Sequence, residues 1–197
     1  MENQNIVHFR FGGVVMKKFV AVSAIGEDRP GIVAALTKVF YETGCNLENS
    51  SMTQLRGDFA VLLLISLPES LTLETLRNTL QPIIQKLSLA VTFRELKPEE
   101  VSGSVVSPVL PYTLMVYGLD HPGIVYRVAQ TATEMNINIT DLRTHVTENK
   151  GITLYSLILE IEIPDAATLL NFQKNLETLK QELNVDISLK AVEMDEL

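Results

Sequence analysis

Tryptophan is absent from the 197 residues of the chain, and cysteine occurs once, at Cys45. A single cysteine excludes a disulfide within the chain and a cysteine pair at metal-ligand spacing, as is typical of a cytoplasmic protein. Long apolar runs are missing too, since no stretch approaches the roughly 20 residues of a membrane-spanning helix. Residues 1–16 lack the uninterrupted apolar core of a signal peptide. These absences predict a soluble, cytoplasmic protein with no membrane partner.

Basic residues are scarce relative to acidic ones. The 16 Lys and Arg residues face 24 Asp and Glu residues, which gives a formal net charge of −8. Because such a chain has no general attraction to nucleic-acid phosphates, direct nucleic-acid binding is not expected. The excess of acidic residues lies in residues 98–197. It indicates either attraction of a basic partner or a solvated acidic face.

A short motif occurs twice, 92 residues apart. GEDRPGIVAAL begins at Gly26, and GLDHPGIVYRV begins at Gly118. Each copy follows a run typical of a strand and opens a run with the apolar spacing of a helix. Asp28 and Asp120 stand where a helix N-cap is expected. The predicted apolar faces consist of Ile32, Val33, Leu36, Val39 and Phe40 in the first helix, and of Ile124, Val125, Val128, Ala132 and Met135 in the second.

The residues that follow each helix also repeat. Gly44 and Asn136 suit the left-handed backbone conformation that ends many helices. Asn46 and Asn138, again 92 residues apart, then begin the next strand. The repeat therefore extends well beyond the motif.

Each half continues with a hairpin, a second helix and a last strand. The hairpin strands are predicted at residues 47–55 and 139–147, with turns at 56–58 and 148–151. Pro82 lacks a backbone donor, so the second helix of the first half is expected to kink or end early. Leucine-rich stripes define these helices: Leu73, Leu76, Leu80, Ile83, Ile84 and Leu87, then Leu169, Phe172, Leu176, Leu179 and Leu183.

The element order is βαββαβ, twice. This order predicts an α+β fold of two ferredoxin-like units, each an antiparallel four-stranded sheet with two helices on one face. The segment from Lys97 to Pro111 is rich in Pro, Ser and Gly and indicates a linker. The predicted boundaries are an N-terminal extension at residues 1–16, a first domain at 17–97, a linker at 98–110, a second domain at 111–193 and a tail at 194–197.

The repeated loops admit two interpretations. A helix N-terminus offers unpaired N–H groups and a positive dipole to a carboxylate, and glycine lets a ligand approach the backbone. Alternatively, the aspartates are N-caps, the Pro-Gly pairs are turns, and the asparagines satisfy helix ends. If the loops bind ligand, its ammonium group is expected at Asn46, at Asn138 or at carbonyls of a facing unit. The predicted ligand-binding residues are Asp28, Arg29, Pro30, Gly31, Ile32, Asn46, Asp120, His121, Pro122, Gly123, Ile124 and Asn138.

Catalytic chemistry is not indicated by the sequence. His8, His121 and His145 are scattered, and no Ser/His/Asp or Cys/His arrangement falls at predicted strand ends. We therefore expect no catalytic residues, no metal site and no cofactor.

The two DxPGIV motifs, each between a strand and a helix and each with an Asn opening the next strand, resemble ACT domains, a family of small amino-acid-sensing modules. The resemblance covers residues 19–192. The tandem arrangement without a catalytic domain is similar to the glycine cleavage system transcriptional repressor group of paired ACT proteins.

The resemblance implies a non-catalytic regulatory protein that binds an amino acid, with glycine as the implied ligand, and acts through a protein partner in control of glycine cleavage system transcription. An accessory or allosteric regulatory subunit of an amino-acid metabolic enzyme is the alternative. We also expect the two halves to pack as a pseudo-dimer, and the chain to form a homodimer, because tandem units leave sheet edges to cover.

Overall fold

The computed structural model describes residues 17–101, 109–149 and 151–192. The chain divides between residues 104 and 105 into two compact units. Among the described residues, no helix is both long and apolar enough to cross a membrane. The predicted extension at 1–16, the tail at 194–197 and most of the predicted linker lie outside the described residues.

The first unit has a four-stranded antiparallel sheet in the order β2-β3-β1-β4. A one-turn helix, α3, follows the sheet, so part of the predicted linker is helical. The elements are β1 (Lys18–Glu27), α1 (Ile32–Glu42), β2 (Asn46–Leu55), β3 (Asp58–Leu67), α2 (Leu73–Leu87), β4 (Ala90–Leu96) and α3 (Pro98–Val101).

The second unit repeats this arrangement in the order β6-β7-β5-β8. Its first strand begins one residue before the predicted domain boundary. The predicted α+β fold of two ferredoxin-like units is confirmed. The elements are β5 (Leu110–Leu119), α4 (Ile124–Glu134), β6 (Asn138–Asn149), β7 (Ile152–Ile163), α5 (Ala166–Leu183) and β8 (Val185–Ala191).

Each unit has its own hydrophobic core between the sheet and its two helices. In β1 the alternate residues Val20, Val22 and Ala24 are buried, as strand periodicity requires. The predicted stripe of α5 is confirmed, since it packs on the core along its length. Val33 was predicted to join the apolar face of α1, but it is 45% exposed because the face of that helix follows positions 32, 36, 39 and 40.

Local predictions at α2 and at both hairpin turns differ from the structure. Helix α2 does not end at Pro82 but runs on to Leu87. Pro82 lies on the exposed side of the helix, where water can satisfy the carbonyl that loses its donor. The turns predicted at 56–58 and 148–151 are both shorter, because Asp58 already belongs to β3, and Glu148 and Asn149 still belong to β6.

A β-bulge interrupts the outer strand of each sheet at equivalent positions. The register of β2 against β3 shifts at Glu48, and that of β6 against β7 shifts at Thr140, 92 residues later. A bulge adds one residue to its strand and bends it. The structural repeat therefore includes an irregularity that the sequence patterns did not predict.

Candidate functional site

The repeated loops join β1 to α1 and β5 to α4. Each helix begins after a glycine with positive φ, +96° at Gly31 and +102° at Gly123. Such a backbone conformation favours glycine strongly, because a Cβ is strained there. A Cβ built at either glycine meets no heavy atom within 4 Å, so open space borders both loops.

The first turns of α1 and α4 have no side-chain cap and no acidic residue. The predicted N-caps Asp28 and Asp120 were wrong, because glycine occupies the N-cap position in both helices. By contrast, α2 and α5 begin with side-chain caps from Thr72 and Asp165. Of the four long helices, the two that follow the repeated motif are thus the ones whose first N–H groups have no side-chain acceptor.

The first loop is held by the β2–β3 hairpin. The backbone N–H of Asp28 donates to the carbonyl of Gly57 at 2.7 Å, and the side chain of Gln54 donates to Oδ2 of Asp28 at 2.8 Å. Arg29, one of the predicted ligand-binding residues, pairs with Glu27 at 3.3 Å. Its side chain is 41% exposed, and the pairing with Glu27 partly offsets its charge near this loop.

The second loop has the equivalent backbone contact to its hairpin but different side-chain contacts. The N–H of Asp120 donates to the carbonyl of Thr153 at 3.0 Å. His121 places Nε2 at 3.0 Å from the carbonyl of Leu183 and Nδ1 at 3.1 Å from that of Pro122. The Pro122 and Leu183 carbonyls, together with the carboxylate of Asp120, raise the pKa of His121 above its ordinary value.

The remaining loop residues contribute backbone rather than side chains. Ile32 and Ile124 are buried in the cores of their units, at 1% and 2% exposure, so their side chains are not accessible to a ligand at the loop. Pro30 and Pro122 are exposed, and they remove one donor each while fixing the turn.

Asn46 lies at the far end of the sheet from the loop of its own unit. Asn46 pairs with Ser66, which pairs with Phe19 at the start of β1, whereas the loop follows Glu27 at the end of β1. The separation along the strands is roughly 20 Å or more. Asn138 occupies the equivalent place beside Glu162. Within one unit, therefore, the structure does not bring the predicted loop and asparagine contacts together.

Polar contacts surround both asparagines at these bulged strand starts. The hydroxyl of Ser66 donates to Oε1 of Glu48 at 2.6 Å, and Nζ of Lys17 lies 3.7 Å from the same oxygen. These contacts and that of Asn46 hold the pKa of Glu48 below its ordinary value, the Ser66 hydrogen bond having the largest effect. In the second unit, the side-chain nitrogen of Asn138 donates to Oε2 of Glu162 at 3.0 Å.

Sequence reasoning missed three residues that contact the predicted site residues or lie beside them: Gln54 and Glu27 at the first loop, and Glu48 near Asn46 at the far end of the sheet. Gln54 and Asp28 are 26 residues apart, and only the pairing of β2 with β3 brings them together. Glu27 lies two residues before Arg29, so its pairing with Arg29 could have been anticipated from spacing. Among residues 17–101, 109–149 and 151–192, no group of three His, Cys, Asp or Glu side chains is placed to hold a metal ion.

Two family models match the chain, both described as ACT domain, at residues 18–94 and 109–186. The chain is 26% identical to the glycine cleavage system transcriptional repressor of Escherichia coli K12 over 179 residues, which are 88% of this chain and 90% of the relative. It is 41% identical over 71 residues to a UPF0237 protein of Methanopyrus kandleri, covering 36% of this chain and 79% of the relative.

A crystal structure of an unknown protein from Galdieria sulphuraria has the same fold. It superposes with a TM-score of 0.77 at 28% identity, and the match covers 90% of this chain and 99% of the other. The two units have the fold that these matches indicate, and the matches extend over most of the chain. The chain belongs to the ACT-domain family, as a tandem member related to the glycine cleavage system transcriptional repressor.

Proposed function

We propose that the chain is a non-catalytic regulatory protein that binds a small amino acid at one or both repeated loops. The observation that carries the proposal is the contrast in helix capping. The helices after the motif begin at Gly31 and Gly123 without a side-chain acceptor, whereas Thr72 and Asp165 cap the other two long helices. A ligand carboxylate would complete the uncapped first turns and interact favourably with the helix dipole.

The ammonium group of the ligand has a counterpart in the same loop. Asp28 presents a carboxylate three residues before Gly31, and one of its oxygens already accepts from Gln54. Asp120 stands in the equivalent place in the second loop. A zwitterionic ligand would thus meet donors at the helix start and an acceptor at the aspartate, as its charges require.

Glycine is the ligand to test first, because the E. coli relative is a repressor of the glycine cleavage system. The proposed output is control of that system's transcription through a protein partner, since the net charge of −8 disfavours direct contact with DNA. In the alternative, the chain binds the same amino-acid ligand, but its protein partner is an amino-acid metabolic enzyme that it regulates.

The test is a thermal-shift screen of the full chain against the common amino acids, followed by calorimetry on the ligands that stabilise it. A ligand at 100 times its Kd raises the free energy of unfolding by about 2.7 kcal/mol. Gly31→Val and Gly123→Val place a branched side chain in the open space beside the loops and should weaken binding at least tenfold.

Gly151→Val is the matched control. Gly151 also has a positive φ, +78°, with no heavy atom within 4 Å of a built Cβ, but it lies in the β6–β7 hairpin turn. This variant carries the same backbone strain away from the loops and should keep the affinity. The proposal is wrong if both loop variants bind as tightly as the unaltered chain.

A further inference from the structure

His121 is the one loop residue that connects the second motif to a different helix end. Its ring contacts Leu183, the last residue of α5, and the neighbouring Pro122. In the first unit, the equivalent residue, Arg29, pairs with Glu27 of its own strand. The two loops therefore share a backbone conformation and a backbone contact to their hairpins, but their side-chain contacts differ.

Both partners of the imidazole ring are carbonyl oxygens, at 3.0 and 3.1 Å. A carbonyl oxygen accepts hydrogen bonds and donates none, whereas neutral imidazole has one N–H and one lone pair. Only the imidazolium form can donate from both nitrogens at once. The neutral ring leaves a nitrogen lone pair facing a carbonyl oxygen, which is repulsive.

We infer that His121 is a protonation-dependent latch, which fixes the β5–α4 loop to the C-terminal end of α5 when charged and releases it when neutral. The end of α5 favours the charged form, because the last carbonyls of a helix carry the negative end of its dipole. The inference concerns the loop itself and holds whether or not the loop binds an amino acid.

The charged groups on the elements around His121 do not oppose its protonation. Arg127 of α4 pairs with Glu182 of α5, and Lys180 of α5 pairs with Asp186 of β8. These opposite charges offset one another in pairs. Asp120, beside His121 in the loop, adds a further attraction for the imidazolium and contributes to its raised pKa.

The sign of the pH dependence follows from the raised pKa. Because the folded protein holds the proton more tightly than the unfolded chain, the latch contributes its full stability below the ordinary histidine pKa of about 6.5. That contribution is lost as the pH rises through the higher pKa of His121 in the folded protein. The loop should therefore be closed in mildly acidic solution and open more often in alkaline solution.

The experiment uses the full chain with labelled histidine rings and follows both ring nitrogens and the backbone amides by NMR. The reporter is the hydrogen-exchange protection of the Asp120 amide, which is bonded to Thr153. The same amide in the first loop, Asp28 bonded to Gly57, is the internal control. Protection of Asp120 should fall by about tenfold for each unit by which the His121 pKa exceeds about 6.5, while Asp28 stays constant.

Variants then assign the effect to the ring. His121→Gln has no titratable group and should remove the pH dependence of Asp120 protection. His145→Gln, at an exposed position on β6, should leave that dependence intact. The inference is overturned if His121 titrates at or below about 6.5, if Asp120 protection does not follow that titration, or if the dependence survives in His121→Gln. The first two measurements need only the unaltered chain, so they decide the question even if a variant fails to fold.

Discussion

The side-chain amide of Gln54 on the edge strand β2 donates a hydrogen bond to the carboxylate of Asp28, at 2.8 Å. This contact attaches the first motif loop to the hairpin beside it, whereas His121 attaches the second loop to α5. Both copies of the motif thus have the same backbone conformation, and a different side-chain contact holds each of them. The two loops are expected to differ in rigidity and in their response to pH.

Gln54→Ala should lower the free energy of unfolding by about 0.5–1 kcal/mol, near the low end for a hydrogen bond because the contact is exposed. Urea denaturation of the full chain at neutral pH measures the change. Gln81→Ala, at an exposed position of α2, is the control and should change stability less. Equal effects of the two substitutions would show that the Gln54 contact adds nothing.

The element order could be predicted from sequence because hydrophobic periodicity is a local property. Alternation in β1 and the stripe of α5 required no knowledge of tertiary contacts. The helix ends at Gly44 and Asn136 were also predictable, since few residues accept their positive φ of 73° and 56°.

The helix starts could not be predicted in the same way. Aspartate precedes both helices, and its usual role as an N-cap concealed the fact that glycine takes that position. The side chain of Asp28 instead accepts a hydrogen bond from Gln54, 26 residues later, which lies on β2 and is placed by the pairing of β2 with β3. The position of Asn46 likewise depends on sheet register, which sets it against Ser66 and far from the loop. Sequence patterns therefore did not predict the contacts between segments that are distant along the chain.

The glycine at the end of the first strand of each unit is predicted to be required for close packing. A Cβ at Gly118 would lie 2.7 Å from Cγ1 of Val185, and one at Gly26 would lie 2.7 Å from Cδ2 of Leu89. Gly118→Ala should therefore cost about 1–3 kcal/mol of stability through overpacking. Chemical denaturation measures this cost.

A second substitution separates overpacking from other effects of the added methyl group. If the contact with Val185 causes the loss, Gly118→Ala should cost less in a Val185→Ala background, and the double-mutant cycle should show favourable coupling. Additive effects of the two substitutions would contradict the packing explanation.

The edge strand β2 is the basis for predicting a homodimer. It exposes Met52 and Leu55, with 59% and 70% of each residue accessible, and an edge strand with open ladder groups and apolar side chains favours pairing with another chain. Sedimentation should show a species of twice the chain mass of 21.9 kDa. Met52→Lys should shift the equilibrium towards the monomer, whereas Leu170→Lys on α5, an equally exposed position, should not. A monomer at all micromolar concentrations would contradict the prediction.

Ser66 and Glu48 should make the first unit sensitive to acid. Ser66 is buried and donates to the Glu48 carboxylate at 2.6 Å, which holds the pKa of that carboxyl below its ordinary value. A lowered pKa gives stability that is fully present above the ordinary glutamate pKa of about 4.3 and is lost as the pH falls through the lower value. Ser66→Ala should therefore be least stable relative to the unaltered chain near neutral pH, and the difference should shrink in acid.

Urea midpoints measured across this pH range test the pairing of Ser66 with Glu48. Ser51→Ala on the exposed strand β2 is the matched control, because it removes a hydroxyl without contacting Glu48. Its effect on the free energy of unfolding should not vary with pH in this range. A Ser66→Ala difference that stays constant from neutral to acidic pH would mean that the hydroxyl does not stabilise the ionised carboxylate, and the low pKa of Glu48 would then have to come from Asn46 and Lys17.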